Sequence, residues 1–236
     1  MAGPVTYVAI WGVPKRRTVS GGQRSHSPVL RTDGHWPATD RRSSILQAAL
    51  ELFAVRGYRA TTVGDIGERV GIRGPSIYKY FGSKEEILSE IIHSTMERLI
   101  LNYSIAVASS SDVVVQLQRA TEAHVRYHAR HRFEAFVGTR ELGSLSEETR
   151  AKIIQRRDLY ENGFRELIEE GRRQQRFDVT SVRLSSYAIL DMGMGVAVWF
   201  REDDPIAEDQ LVLLYSKICL RMLGFAEGPG TNQHKD

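Results

Sequence analysis

The chain has 236 residues, 42% hydrophobic and 26% charged, enough for one large domain or two modest ones with buried cores, and the composition of an ordinary globular protein rather than a fibrous one. Its net charge of +3 is uneven: residues 1–39 carry +4 and residues 40–84 another +4, which leaves −5 for 85–236, the distribution expected when one end meets a polyanion. A single cysteine, Cys219, excludes an intramolecular disulfide and a cysteine-rich zinc module, and fits a reducing cytoplasm.

Residues 1–39 hold Pro4, Pro14, Pro28, Pro37 and the Gly21-Gly22 pair with no sustained period, so they are expected to be a disordered or loosely ordered basic extension. A basic arm, a minor structural addition and a start codon placed too early all remain open for this stretch. Lys15-Arg16-Arg17 follows the mildly apolar Val5 to Val13 instead of preceding it, the wrong order for a secretory signal. No run reaches the roughly 18 apolar residues that span a bilayer.

From Asp40 a helical period sets in. Ile45, Leu46, Ala49, Leu52 and Phe53 form the stripe of a helix that ends at Gly57. Thr62-Val63-Gly64-Asp65 reads as a capping box opening a short second helix, stopped by Gly71. Pro75 stands in the first turn of a third helix, where proline is tolerated. Ser83-Lys84-Glu85-Glu86 caps a fourth, through Ile87, Leu88, Ile91 and Ile92. Further helices are expected over about 111–130, 132–142, 147–174, 180–201 and 207–223, the last ended by Gly224. No strand alternation or internal repeat is visible, so the fold class is all-α.

The segment from Asp65 to Phe81 has the requirements of a helix-turn-helix. Gly67 supplies a small residue where two helices cross, and Gly71 a turn position that favours positive φ. Ile66, Val70, Ile72 and Ile77 can lock the helices together, which leaves Arg73, Ser76, Tyr78, Lys79 and Tyr80 facing outward as phosphate and base-edge donors.

Thr61 to Ile66, followed by Ser76-Ile77-Tyr78-Lys79-Tyr80-Phe81-Gly82-Ser83-Lys84-Glu85-Glu86-Ile87-Leu88, resembles the signature of TetR-type regulators over about 42–90. Pro75 stands where that family more often has glycine or alanine, and Gly64 and Gly67 replace commoner residues, which should soften the second helix. The resemblance implies double-stranded DNA as partner. It assigns Thr61 and Thr62 to a phosphate contact at a helix N-terminus, Arg73, Gly74, Ser76 and Lys79 to the major groove or adjacent backbone, and Tyr78, Tyr80 and Lys84 to phosphates. Tyr80 and Phe81 have a competing reading as core aromatics. The domains expected are a helix-turn-helix over 40–86, a helical ligand-binding and dimerisation domain over 87–225, and a flexible tail over 226–236.

The resemblance further implies a cytoplasmic homodimer built from the last two helices. The run Tyr187 to Phe200 is apolar nearly all round, with Gly193, Gly195 and Ala197 allowing close approach, and Leu211, Leu214, Tyr215, Ile218 and Met222 form a second stripe. A ligand pocket is expected among the helices of 111–199. Its candidate lining is His124, His128, Phe136, Arg140, Arg157, Tyr160, Phe164, Asp191 and Trp199. The two arginines have snorkelling or ion pairing as the plainer role, with Asp191 as a candidate partner. His124 and His128 at i and i+4 lack an evident third ligand, so no metal is assigned. The pattern around Val198 to Arg201 and Pro205 to Ala207 is similar to repressors of lipid and steroid catabolism that respond to acyl-CoA thioesters, which makes such a thioester the leading effector.

A repressor released by a small hydrophobic effector is therefore the expected function, with a multidrug- or other small-molecule-responsive regulator of the same family as the alternative. A non-sensing DNA-binding or interaction protein is a further one. No nucleophile elbow, Walker loop, dinucleotide fingerprint or His-Glu-x-x-His motif supports an enzyme, and no cofactor is expected.

Overall fold

The computed structural model describes residues 40–225; the expected basic extension over 1–39 and the tail over 226–236 lie outside the described residues. Every regular element among the described residues is helical: α1 (Arg41–Arg56), α2 (Val63–Arg69), α3 (Gly74–Ile77), α4 (Lys84–Ala108), α5 (Val113–Arg130), α6 (Arg132–Arg140), α7 (Glu147–Arg173), α8 (Val182–Trp199) and α9 (Glu208–Met222), with a 3-10 turn at Leu142–Ser144. The chain forms two compact units. Unit 1 comprises the described chain to Arg98 together with Phe133–Leu159, and unit 2 comprises Leu99–Arg132 and the chain from Tyr160 onward. The helices α4 and α7 contribute residues to both.

In unit 1 the chain ends its helices with local chemistry. The Asp40 side chain accepts from the Ser43 N–H at 2.8 Å and starts α1; Gly57, at φ +86°, stops it. Thr62 and Asp65 cap α2 reciprocally: the Asp65 N–H donates to Thr62 Oγ1 at 3.1 Å and the Thr62 N–H donates to Asp65 Oδ2 at 2.7 Å. At α4 the box is displaced by one residue, since Ser83 Oγ accepts from the Glu86 N–H while the Glu86 carboxylate accepts from the Gly82 N–H. The stripes thus aligned converge on one core: Leu46, Phe53, Ile66, Ile77, Phe81, Ile87 and Ile91 are buried together, with Val137, Leu145 and Ile153 from the second segment of the unit.

The third helix is a single short turn, Gly74–Ile77. After Ile77 the bonds become i to i+3, with Lys79 N–H to Ser76 O at 3.3 Å and Tyr80 N–H to Ile77 O at 2.9 Å, so Tyr78 to Tyr80 continue as tight turns. Similarly α6 stops at Arg140 and gives way to the 3-10 turn, and α8 stops at Trp199 because Phe200 adopts an extended backbone and buries its ring.

In unit 2, α5 packs against α8 and α9, and α8 against α9. Val125, Val196, Phe200, Leu211 and Val212 form one buried cluster of this unit. Asp112 caps α5 by accepting from the Val114 and Val115 N–H groups. Arg126 and Arg130 reach across from α5 to the first turn of α9, where Arg126 donates to Asp209 at 2.6 Å and Arg130 to Glu208 at 2.7 Å. At the far end of α9 the Phe225 N–H returns to Leu220 O and the Gly224 N–H to Arg221 O, both at 3.0 Å. With Gly224 at φ +69°, this is a Schellman stop.

Candidate DNA-binding and effector sites

The turn between α2 and α3 is held by backbone approaching backbone. A Cβ built on Gly67 would lie 2.8 Å from Ile72 O and 3.0 Å from the Gly74 nitrogen, while one on Gly74 would lie 3.1 Å from Gly64 Cα. Gly71 takes φ +70°, as its place in the turn requires. The glycines read as softening α2 therefore let α3 sit directly on it. Ile66 and Ile77 are buried below this contact, and Arg73, Pro75, Tyr78 and Lys79 are exposed above it, with Tyr78 57% exposed. Gly74 and Ser76 are half-buried. Tyr80 is exposed at 37%, whereas Phe81 is fully buried, which divides the aromatic pair between surface and core.

Two residues assigned to phosphates face inward. Thr61 is completely buried, and its hydroxyl donates to Gly57 O at 2.9 Å. The Lys84 ammonium donates to Tyr58 O at 2.8 Å and Thr61 O at 2.7 Å, and lies 4.2 Å from the centre of the Tyr58 ring. The geometry gives both an internal job: they fix the loop that delivers Thr62 to the start of α2. Thr62 stays exposed, although its hydroxyl is engaged with Asp65. Sequence reasoning missed Arg42, which pairs with Glu90, donates to Tyr80 O and lies 4.0 Å from the Phe81 ring centre. A cation in the first turn of α1 gave no signal that it would hold the end of the recognition segment. Glu141 was missed as well; it accepts from the Tyr58 N–H at 3.2 Å.

Four of the expected effector residues come together in unit 2. His124 Nδ1 lies 2.9 Å from Tyr160 Oη and His124 Nε2 lies 2.9 Å from Leu190 O. A carbonyl only accepts, so Nε2 carries the proton and the tyrosine donates to Nδ1. Both nitrogens are then used, which leaves neither for a metal. The His128 ring stands edge-on to His124 at 4.6 Å, and Phe164 meets Tyr160 at 5.4 Å. Tyr103, absent from the expected set, meets both Tyr160 and Phe164. Gly193 makes room for this cluster, since a Cβ there would lie 2.2 Å from the His124 ring. Burial lowers the His124 pKa to about 4, overcoming the opposing bond to Leu190 O, and lowers His128 well below the ordinary histidine value, helped by His124 and His131. Burial also holds the Tyr160 hydroxyl protonated.

The remaining expected residues fall elsewhere. Arg157 is buried in unit 1, where it donates to Gly138 O at 2.5 Å, and burial brings its pKa down to about 10. Phe136 is half-buried and Arg140 exposed in the same unit. Asp191 and Trp199 are exposed on α8. One face of α8 is buried through Ile189, Leu190, Gly193 and Val196, and the other, with Leu184, Asp191 and Val198, is open in the single chain. On α9 the open stripe is Leu214, Ile218 and Met222.

A helix-turn-helix with an exposed polar and cationic recognition segment, in a chain whose other half is a helical domain, defines a DNA-binding transcriptional regulator. Residues 45–91 match the profile of bacterial regulatory proteins of the tetR family, and residues 110–223 match the tetracyclin repressor-like C-terminal domain. The HTH-type transcriptional repressor KstR2 of Mycobacterium tuberculosis is 30% identical over 186 residues, covering 76% of this chain and 91% of that protein. The solved structure described as that of the ketosteroid transcriptional regulator KstR2 of the same organism superposes with a TM-score of 0.73 at 27% identity, over 78% of this chain and 95% of the other. The fold is also shared with AibR, solved in complex with isovaleryl coenzyme A and operator DNA, at a TM-score of 0.69 and 22% identity over 78% of this chain and 98% of AibR. The chain belongs to the TetR family of transcriptional regulators. No helix among the described residues is long and apolar enough to cross a membrane.

Proposed function

We propose that the chain is a dimeric repressor that binds a palindromic operator and is released by a small hydrophobic effector held in its helical domain. The observation that carries this reading is the recognition segment: Arg73, Tyr78 and Lys79 stand exposed on a turn whose backbone is fixed by Gly67 and Gly74. Arg73, Gly74, Ser76 and Lys79 would contact the major groove or its edges, with Tyr78, Tyr80 and Thr62 on phosphates. The open apolar stripes of α8 and α9 support a homodimer through these helices, which would place two recognition segments on half-sites about 34 Å apart.

The relatives support both repression and the effector class. KstR2 is a repressor and is described as a ketosteroid regulator, and AibR binds an acyl-CoA on the same fold. An acyl-CoA thioester with an apolar acyl part is therefore the leading effector, with the His124, His128, Tyr160 and Phe164 cluster as the region that receives it. Footprinting of the DNA upstream of the protein's own coding sequence, followed by titration with acyl-CoA thioesters, tests the reading. A two-fold symmetric footprint lost on adding one thioester supports it. A footprint that ignores every thioester would retain the regulator and reject the effector class.

A further inference from the structure

The inner face of α5 carries two polar atoms for which the described residues supply no hydrogen-bond partner, Thr121 Oγ1 and His128 Nδ1. Thr121 is 1% exposed and His128 4%, so bulk water does not stand in for the missing partners. An enclosed polar atom without a partner carries a cost that native folds generally avoid, and such an atom invites a functional explanation. The two residues are seven apart, two turns of one helix, so they share a face with an axial rise of roughly 10 Å between them. Between them stands His124, already satisfied on both nitrogens by Tyr160 and Leu190, and beside it lie the rings of Tyr160 and Phe164. The strip is therefore aromatic in the middle, where the polar atoms satisfy one another, with an unpartnered hydrogen-bonding atom at each end. The polar groups on it are neutral, because burial keeps both histidines uncharged and the Tyr160 hydroxyl protonated. The acid next in sequence, Glu161, is paired with Arg165.

We propose that Thr121 and His128 are the two polar anchors of the effector site, and that the buried part of the effector is an uncharged, largely apolar body with hydrogen-bonding oxygens at two points about 10 Å apart. Ketone, ester, thioester or hydroxyl oxygens fit this description. A threonine hydroxyl donates or accepts, and a neutral imidazole nitrogen does either according to tautomer, so each end accepts a carbonyl or a hydroxyl. A carboxylate or phosphate at either end is excluded from this strip, because it would bury a full charge against neutral groups. A pure hydrocarbon would leave both anchors unsatisfied. The inference rests on the reading that unit 2 receives the effector, and it names the chemistry of what enters there.

The test uses the full-length protein and three rigid probes: a steroid dione with a ketone on the first and last rings, its analogue lacking the last-ring ketone, and its analogue with a carboxylate there. Binding is read by fluorescence titration and thermal shift, and operator affinity by polarisation, for the wild type, Thr121→Val, Thr121→Ser and His128→Leu. The dione is expected to bind about tenfold more tightly than the mono-ketone, the equivalent of one hydrogen bond, and more than a hundredfold more tightly than the carboxylate. Thr121→Val and His128→Leu should each weaken the dione about five- to tenfold while leaving operator affinity and the far-ultraviolet spectrum unchanged, and Thr121→Ser should restore binding. No binding of the dione, equal binding of the carboxylate, or dione binding indifferent to both substitutions would overturn the inference. If the dione binds as described but neither it nor any acyl-CoA thioester releases the operator, the effector reading fails and the anchor assignment stands. If the carboxylate releases the operator from wild type and Thr121→Val alike, the effector reading stands and the anchor assignment fails.

Discussion

Gly67→Ala should damage operator binding although alanine is the better helix former. In an exposed helix the substitution would stabilise by about 1 kcal/mol through backbone entropy. Here the added Cβ would sit 2.8 Å from Ile72 O, 3.0 Å from the Gly74 nitrogen and 3.1 Å from Gly74 Cα. All three are main-chain atoms of the turn and of α3, so no flexible side chain can yield. Forcing a carbon into such a contact costs about 1–3 kcal/mol, which leaves a net loss of about 0–2 kcal/mol once the propensity gain is subtracted. The relief available is for α3 to move off α2, and a shift of a few tenths of an ångström there displaces Arg73 and Lys79 together. Operator affinity should accordingly fall by at least about tenfold, more than the stability loss requires, since the base-edge contacts depend on register. Melting temperature by circular dichroism and operator Kd by polarisation read the two effects. Gly143→Ala, where an added Cβ meets nothing within 4 Å, is the control and should change neither. A Gly67→Ala protein with raised melting temperature and unchanged operator affinity would refute the packing argument.

Three further expectations follow from the same geometry. Lys84→Met should cost about 1–3 kcal/mol of stability through the lost bonds to Tyr58 O and Thr61 O, measured by denaturant unfolding; unchanged stability with a salt slope of operator binding reduced by about one would return Lys84 to the phosphates. The His124 pKa of about 4 in the fold lies below the unfolded value of 6.5, so its contribution is complete above about pH 6.5 and is lost as pH falls toward 4, on the order of 3 kcal/mol in all; a melting temperature flat between pH 7 and 5, or one whose fall is the same in His124→Gln, contradicts this. Leu214 and Ile218 are each nearly half exposed on the open stripe of α9, and replacing both by Asp should yield a folded monomer by light scattering; a dimer that survives would place the interface elsewhere.

What sequence alone delivered was local chemistry. The Thr62–Asp65 box, the positive φ of Gly71, the crossing at Gly67 and the stop at Gly224 each depend on a few neighbouring residues, and pattern reasoning reached all of them. The direction of a side chain on a loop depends on what another element brings to it. That is why Thr61 and Lys84 were assigned outward and turned inward, and why Arg42 went unnoticed until α1 was laid beside Phe81. The helical period puts Thr121, His124 and His128 on one face of α5. It could not say that Leu190 O and Tyr160 would satisfy His124 and leave its two neighbours without partners. The run from Tyr187 to Phe200 is apolar nearly all round in sequence, and in the single chain one face is buried while the face with Asp191 and Val198 is open, so composition alone does not say which face meets its own fold.

The central claim is that the recognition segment reads DNA, and the most direct measurement is a polarisation titration of wild type, Arg73→Ala and Lys79→Ala against a duplex from the upstream region, repeated across salt concentrations. The account predicts nanomolar-range specific binding by the wild type. Arg73→Ala and Lys79→Ala should each weaken it by about 1–3 kcal/mol, with at least one lowering the salt slope by about one, while melting temperatures stay unchanged. Wild-type binding no tighter to the upstream duplex than to a scrambled one, or variants that bind as the wild type does, would contradict it.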